Sequence, residues 1–214
     1  MYNNVKTGLF VLCILLLSAS VKAQRDGWKQ ETTKDGSVLV SYQFLEKKDE
    51  NGKKFNTLEY EAKTTAKVSL ESCLVVLKDD SRHKDFMEDV EHAERIKDLS
   101  ENEWLTYYLL KRRWPMPDTD MATRYKLEEE PANKRIILTG FPAPDMYPEQ
   151  GVTRMEHSFS KYTLTDLGDG QTEVVMYSSS IPVVSVPKWL MATWIPDGPA
   201  NIINGIVRLA LEEK

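Results

Sequence analysis

The sequence predicts an α+β domain in which a run of antiparallel strands is followed by one long amphipathic helix. Three observations carry this. Residues 57–68 alternate strictly: Leu58, Tyr60, Ala62, Thr64, Ala66 and Val68 share one face, and Glu59, Glu61, Lys63, Thr65 and Lys67 the other. A period of two places one face in a core and one in water. From Val90 to Tyr177, turn signals recur at short intervals with no helical periodicity between them, the pattern of an antiparallel meander. Beyond Pro187, apolar residues recur at helical spacing: Trp189, Leu190, Thr193 and Trp194, then Ile202, Ile203, Ile206, Val207, Leu209 and Ala210.

The chain opens with a segment of another kind. Lys6 precedes an apolar run from Leu9 to Leu17, and Val21-Lys22-Ala23 ends with small residues at the positions a signal peptidase reads. The run falls short of the ~20 residues that span a bilayer. Residues 1–23 therefore read as a cleaved export signal, with residues 24–214 as one mature domain in the periplasm or outside the cell.

The elements follow in order. Residues 25–36 form a polar lead-in anchored by Trp28. Ser37–Glu46 reads as a strand, and Asp49-Glu50-Asn51-Gly52 as a turn. After the alternating strand at 57–68, Ser69 caps a helix from Leu70 to Asp79, with Leu70, Cys73, Leu74 and Leu77 on one side. A short helical stretch, Ser81–Met87, carries Phe86. Strands are expected at Glu91–Leu99, Trp104–Arg112, Met121–Glu129 and Arg135–Phe141. A proline-rich stretch, 141–148, interrupts them. One long strand, Val152–Leu164, then turns at Asp166–Gly170 into Thr172–Ile181. Pro187 starts the closing helix, which either kinks at Pro196–Pro199 or divides there.

Composition narrows the function. Net charge is −5 and becomes −7 once Lys6 and Lys22 leave with the signal. So acidic a chain lacks the basic face that nucleic acid demands. Cys13 lies in the signal, so Cys73 is left without a disulfide partner. His83, His92 and His157 show no metal-ligand spacing, and each reads as surface or packing. No nucleophile elbow, phosphate loop or dinucleotide fingerprint occurs. No catalytic residue, metal or cofactor is expected.

Three stretches resemble one family. Arg113-Trp114-Pro115-Met116-Pro117-Asp118-Thr119-Asp120-Met121 is similar to a proline–tryptophan–proline segment leading into an Arg-Asp pair, with Thr119 where the family has Arg and Arg113 where it has proline. Val152-Thr153-Arg154-Met155-Glu156-His157, then Tyr162 and Leu164, resembles a late strand with a characteristic Arg. Val186-Pro187-Lys188-Trp189-Leu190, with Pro199 beyond, resembles the start and kink of a closing helix, although Ser179-Ser180-Ile181-Pro182 replaces the usual turn before it. In this order they resemble the START (steroidogenic-acute-regulatory-related lipid-transfer) family across most of residues 28–212.

The resemblance implies a helix-grip fold, a curved antiparallel sheet wrapped around the last helix, with an elongated cavity between them for one lipid or sterol-like molecule. From the sheet, the expected ligand-binding residues are Trp104, Tyr108, Tyr125, Met155, His157, Phe159 and Met176. From the helix they are Trp189, Thr193, Trp194, Ile202 and Ile206. Val174 joins the inward set, while Arg124, Arg154, Glu156 and Glu173 face away. The Trp104 strand leaves its parity open, because Leu105, Tyr107 and Leu109 compete with Trp104, Tyr108 and Leu110. Met116, Met121, Met155 and Met176 are further candidates, since methionine adapts to irregular ligands. Trp114 and its flanking prolines read as a structural bend. The expected protein is a monomer that binds or transfers a hydrophobic molecule, touches membranes only transiently and performs no chemistry. Two other readings stay open. One is a helix-grip enzyme, cyclase- or hydrolase-like, using His157 with Arg154, or Tyr108 with a carboxylate. The other is an interaction module with a filled core.

Overall fold

The computed structural model describes residues 26–48, 52, 54–111 and 117–213. Residues 1–23, read as an export signal, most of the turn at 49–52, Trp114 and Met116 lie outside the described residues. Ten strands form one sheet. They are β1 (Lys29–Thr32), β2 (Leu39–Lys48), β3 (Lys54–Ala66), β4 (Val90–Ser100), β5 (Glu103–Leu110), β6 (Thr119–Glu130), β7 (Arg135–Pro142), β8 (Thr153–Arg154), β9 (Ser158–Gly168) and β10 (Gln171–Ser180). The helices are α1 (Leu70–Lys78), α2 (Lys188–Ala192) and α3 (Asp197–Glu212), with a 3-10 turn at Asp80–Asp85 after α1.

Strand order is β1-β2-β3-β10-β9-β7-β6-β5-β4, antiparallel throughout, while the short β8 pairs parallel with β6. The alternation at 57–68 is realised in β3: Tyr60, Ala62 and Thr64 are buried, whereas Glu59, Glu61 and Lys63 remain half-exposed. The chain leaves β3 through α1 and starts β4 at the far edge of the sheet. From there it returns strand by strand until β10 pairs with β3. The turn between β9 and β10 needs left-handed backbone at Gly168, Asp169 and Gly170 (φ 85°, 52° and 69°), and the Asp166 carboxylate accepts from Gly168 N at 2.8 Å.

The helices start where their residues allow. Ser69 Oγ accepts from Ser72 N at 3.0 Å and caps α1. Pro199 sits in the first turn of α3, where no intrahelical donor is lost. Ile202, Ile203, Ile206, Leu209 and Ala210 bury one face of α3 against α1 and the inner faces of β2, β3 and β10. The sheet is curved and closed over its C-terminal helix, a helix-grip arrangement.

Three expectations are corrected or resolved. The long strand at 152–164 is two pieces: β8 leaves the ladder to pair with β6, and residues 155–157 bridge to β9. That bridge shifts side-chain parity, so Ser158, Ser160, Tyr162 and Leu164 point inward and Phe159 points out. The closing helix is also two pieces, α2 and α3, meeting at residues 193–196. In β5, Trp104, Tyr108 and Leu110 face the main core, while Leu105 lies under Ala143 in a small second cluster. Both faces of β5 are thus apolar, which is why its sequence did not alternate.

Candidate functional site

One row of side chains crosses the inner face of the sheet, and its composition opens a cavity. The registers align Tyr42, Tyr60, Ser178, Ser160, Gly140, Tyr125 and Trp104 on β2, β3, β10, β9, β7, β6 and β5. The middle three are small and the outer four aromatic. Ser158 and Ser180, also paired, extend the small patch toward the open end. Two residues further in, the row Met176, Tyr162, Leu138 and Leu127 is bulky again and buried, its first two members forming the inner wall of the space. A close-packed interior needs side-chain volume at every position. The Tyr125 ring and Ser160 close over Gly140, but where the serines supply little volume, a cavity of ≈ 410 Å³ remains.

The cavity is roofed by Val186, Leu190, Met191, Trp194, Gly198 and Ile202. The Trp194 ring meets Tyr60 edge-on at 5.4 Å between centroids. Gly198 permits this, because a Cβ there would lie 1.9 Å from the Trp194 indole. Met87, Met121, Met155, Met176 and Met191 all reach the lining, so five of the eight methionines border the space. Glu88 and Asp89 border it beside Val90.

Behind Tyr125 runs a buried polar chain. Tyr125 Oη lies 2.8 Å from Tyr108 Oη, and Tyr108 Oη lies 2.6 Å from His83 Nδ1. His83 Nε2 is 3.0 Å from the Leu77 carbonyl. Burial holds the His83 imidazole below its usual range, against the opposing pull of nearby Asp80. Burial also pushes the phenols of Tyr108, Tyr125 and Tyr162 well up, and that of Tyr60 to about 12. All four are neutral donors and acceptors at any physiological pH. Asp80 anchors the neighbouring layer, accepting from Thr106 Oγ1 at 2.9 Å, Trp104 Nε1 at 3.3 Å and Arg95 Nε at 2.7 Å. The Arg95 guanidinium also sits 4.5 Å above the Trp104 ring.

Of the residues expected from sequence, Tyr125, Met155, Met176, Trp194 and Ile202 come together around the cavity. Trp104, Tyr108 and Ile206 are buried in the packed core outside its lining. His157 is exposed on the bridge between β8 and β9. Phe159 sits on the outer face between Phe141 and Tyr177, meeting each edge-on at 5.7 and 5.9 Å between centroids. Trp189 is 71% exposed, and the exposed Thr193 donates to the Leu190 carbonyl at 2.7 Å. Sequence reasoning missed Ser158, Ser160, Ser178 and Ser180. Parity would have found the last two, since Val174 and Met176 already mark the inward face of β10.

The Arg of the late strand and the Asp of the proline segment meet. Arg154 holds Asp120 in a bidentate pair at 2.6 and 2.8 Å, and donates its remaining protons to the carbonyls of Pro144, Tyr147 and Pro148. Arg154 therefore faces a protein interior, not water: its side chain is 9% exposed and that of Asp120 0%. The pair pins the proline-rich stretch beneath β6. Among the described residues, no three His, Cys, Asp or Glu side chains converge as metal ligands.

Comparisons with known proteins agree with this geometry. A STAR-related lipid transfer protein fragment from Xanthomonas axonopodis superposes with a TM-score of 0.71 at 20% identity, over 86% of this chain and 99% of that one. Human StAR-related lipid transfer protein 5 superposes at 0.68 and 14% identity, over 87% and 88%. An aromatase/cyclase from a Streptomyces species shares the fold more distantly, at 0.52 and 12% identity over 72% and 93%. In sequence, an uncharacterized protein of Pseudomonas aeruginosa is 28% identical over 120 residues, so the match spans 56% of this chain and 58% of that relative. The START domain matches residues 12–211, nearly the whole length, and this chain belongs to the START domain family.

Proposed function

We propose that this protein binds one hydrophobic molecule non-covalently in the cavity between the sheet and α2–α3, and carries it without chemical change. The observation that carries this reading is the patch of small residues, Ser158, Ser160, Ser178 and Ser180, in the middle of an otherwise bulky inner face. A domain with no ligand to hold gains by filling such a gap. The lining joins an apolar majority to the hydroxyls of four serines, Thr123 and three tyrosines, with Glu88 and Asp89 at its border, the make-up of a site for an amphiphilic small molecule. Its volume, ≈ 410 Å³, lies in the lower part of the ~300–1,000 Å³ range of such sites. That suits a single acyl chain or a compact ring system better than a two-chain lipid. Structural relatives named as lipid transfer proteins support carriage over catalysis.

Loading requires α2 to lift, since Leu190, Met191 and Trp194 form the roof. Trp189, exposed on the same short helix, is placed to touch an apolar surface briefly. The net charge, −7 once Lys6 and Lys22 leave with the signal, opposes a long stay on an anionic membrane. The N-terminal apolar run supports export, with maturation before Gln24, and the carrier works as a monomer in an aqueous compartment where its cargo has no solvent of its own.

Native mass spectrometry with organic extraction tests the reading. The expected result is a co-purifying lipid-like molecule, together with quenching of Trp194 fluorescence when acyl-chain ligands are added. If nothing co-purifies, and added lipids neither change Trp194 emission nor raise the melting temperature, the carrier reading fails.

A further inference from the structure

The polar chain behind Tyr125 has a fixed direction. The Leu77 carbonyl can only accept, so His83 Nε2, 3.0 Å away, carries the ring proton. A neutral imidazole protonated at Nε2 presents a bare lone pair at Nδ1. Tyr108, 2.6 Å from Nδ1, must then donate its proton to it. The Tyr108 oxygen, having spent its proton, accepts from Tyr125 at 2.8 Å. Tyr125 has now also spent its proton, and it is the member of the three that lines the cavity. One of its lone pairs accepts from the Ser160 hydroxyl, which also lines the cavity, so the two together have no uncommitted proton to offer there. His83, Tyr108 and Tyr125 are 3%, 0% and 3% exposed, so bulk water cannot reset the order.

We infer that His83 and Tyr108 are positioning residues that turn Tyr125 into an obligate hydrogen-bond acceptor, and that the cargo is an amphiphile with a hydrogen-bond-donating end, a hydroxyl or amide N–H, seated at Tyr125 and Ser160. This rests on the cavity being a ligand site. Gly140 lets the two side chains close together over it: a Cβ there would lie 2.7 Å from Ser160 Oγ and 2.9 Å from the Tyr125 ring. A molecule ending in a carbonyl or ether oxygen could accept here only by drawing the Ser160 proton away from Tyr125, and a buried acceptor left without a donor is penalised.

The test compares dodecan-1-ol with dodecan-2-one, matched in carbon count, by Trp194 quenching on the purified protein. The alcohol donates and the ketone only accepts. The wild-type protein is expected to hold the alcohol roughly 3- to 10-fold more tightly, the range one net hydrogen bond gives. Tyr108→Phe removes the acceptor that Tyr125 serves, so the Tyr125 proton can swing into the cavity. The preference is expected to collapse or invert toward the ketone, an outcome that mere loosening of the core would not produce. Tyr125→Phe should equalise the two ligands without any gain for the ketone, and thermal melts confirm that each variant is folded. Should the wild-type protein bind both ligands equally, or should folded Tyr108→Phe keep the alcohol preference, the inference is overturned while carriage stands. If neither ligand binds the wild-type protein, the ligand site itself fails and takes the inference with it.

Discussion

Arg154 uses all five of its N–H donors, two on Asp120 and three on backbone carbonyls of the proline-rich stretch. Arg154→Ala would strand the Asp120 carboxylate, which is 0% exposed. Removing one partner of such a pair costs about 3–5 kcal/mol. Urea unfolding should show that loss, and Arg154→Lys should recover little of it, because an ammonium cannot reproduce the planar fork. Cys73 offers a second check at the same scale. Burial raises its thiol from 9.0 to about 11. The native protein should resist iodoacetamide at about pH 8 and react fully once unfolded. The folded thiol holds its proton to higher pH than the unfolded one, so this group withdraws stability as pH climbs from 9.0 toward about 11 and leaves it unaffected below. At residue scale the sequence was readable where chemistry is blunt. Methionines at inward positions, Met155 and Met176, and the aromatic Tyr125 announced themselves. His83 did not, because a lone histidine acquires meaning only from partners 25 residues away in Tyr108 and six away in Leu77.

Elements were legible wherever one face was wet. β3 alternates because water covers its outer side, and its inner residues followed directly. β9 was misread because residues 152–164 look like one alternating strand. The pull of Asp120 on Arg154 and on Met155 N, whose amide donates to the Asp120 carbonyl at 2.7 Å, draws β8 off the ladder toward β6. That long-range pairing leaves no local signature. It moves the inward set from Phe159 to Ser158 and Ser160. The division between α2 and α3 was signalled by Pro196 and Pro199, and its use is visible in Gly198. Gly198→Ala must push the Trp194 indole from its seat, since the added carbon would fall 1.9 Å from the ring. The variant should fold, shift Trp194 emission to the red and bind acyl-chain ligands at least several-fold more weakly, measured by fluorescence titration.

For the whole molecule, the cavity sets stability against function. Ser178→Leu would place a branched side chain between Tyr60 and Ser160 in the middle of the inner row. Cavity filling of this kind adds about 0.5–2 kcal/mol where the chain fits. The expected result is a higher melting temperature with ligand binding abolished, read by calorimetry and Trp194 quenching. A melting temperature that drops while binding persists would mean the gap is already occupied by packing. The overall architecture was legible because composition and periodicity act on long stretches. The gap itself was not, since its cause is the lateral alignment of serines on β9 and β10 beneath the roof of α2 and α3, a register that local periodicity does not show.

The pairing of β3 with β10 carries a consequence for synthesis. Ala66 finds its partner, Thr172, only after most of the chain has been made. Until then β1, β2 and β3 form a ribbon with one bare edge, while β4 through β9 grow as a separate sheet. Both margins offer unsatisfied amides to any other strand in reach. Folding of this topology is therefore a late, all-at-once closure governed by the last forty or so residues, and slow in the way that distant pairings are slow. A nascent or truncated chain that ends before β10 should not be a smaller version of the protein but an aggregation-prone pair of half-sheets, dependent on a holding chaperone until its final hairpin arrives.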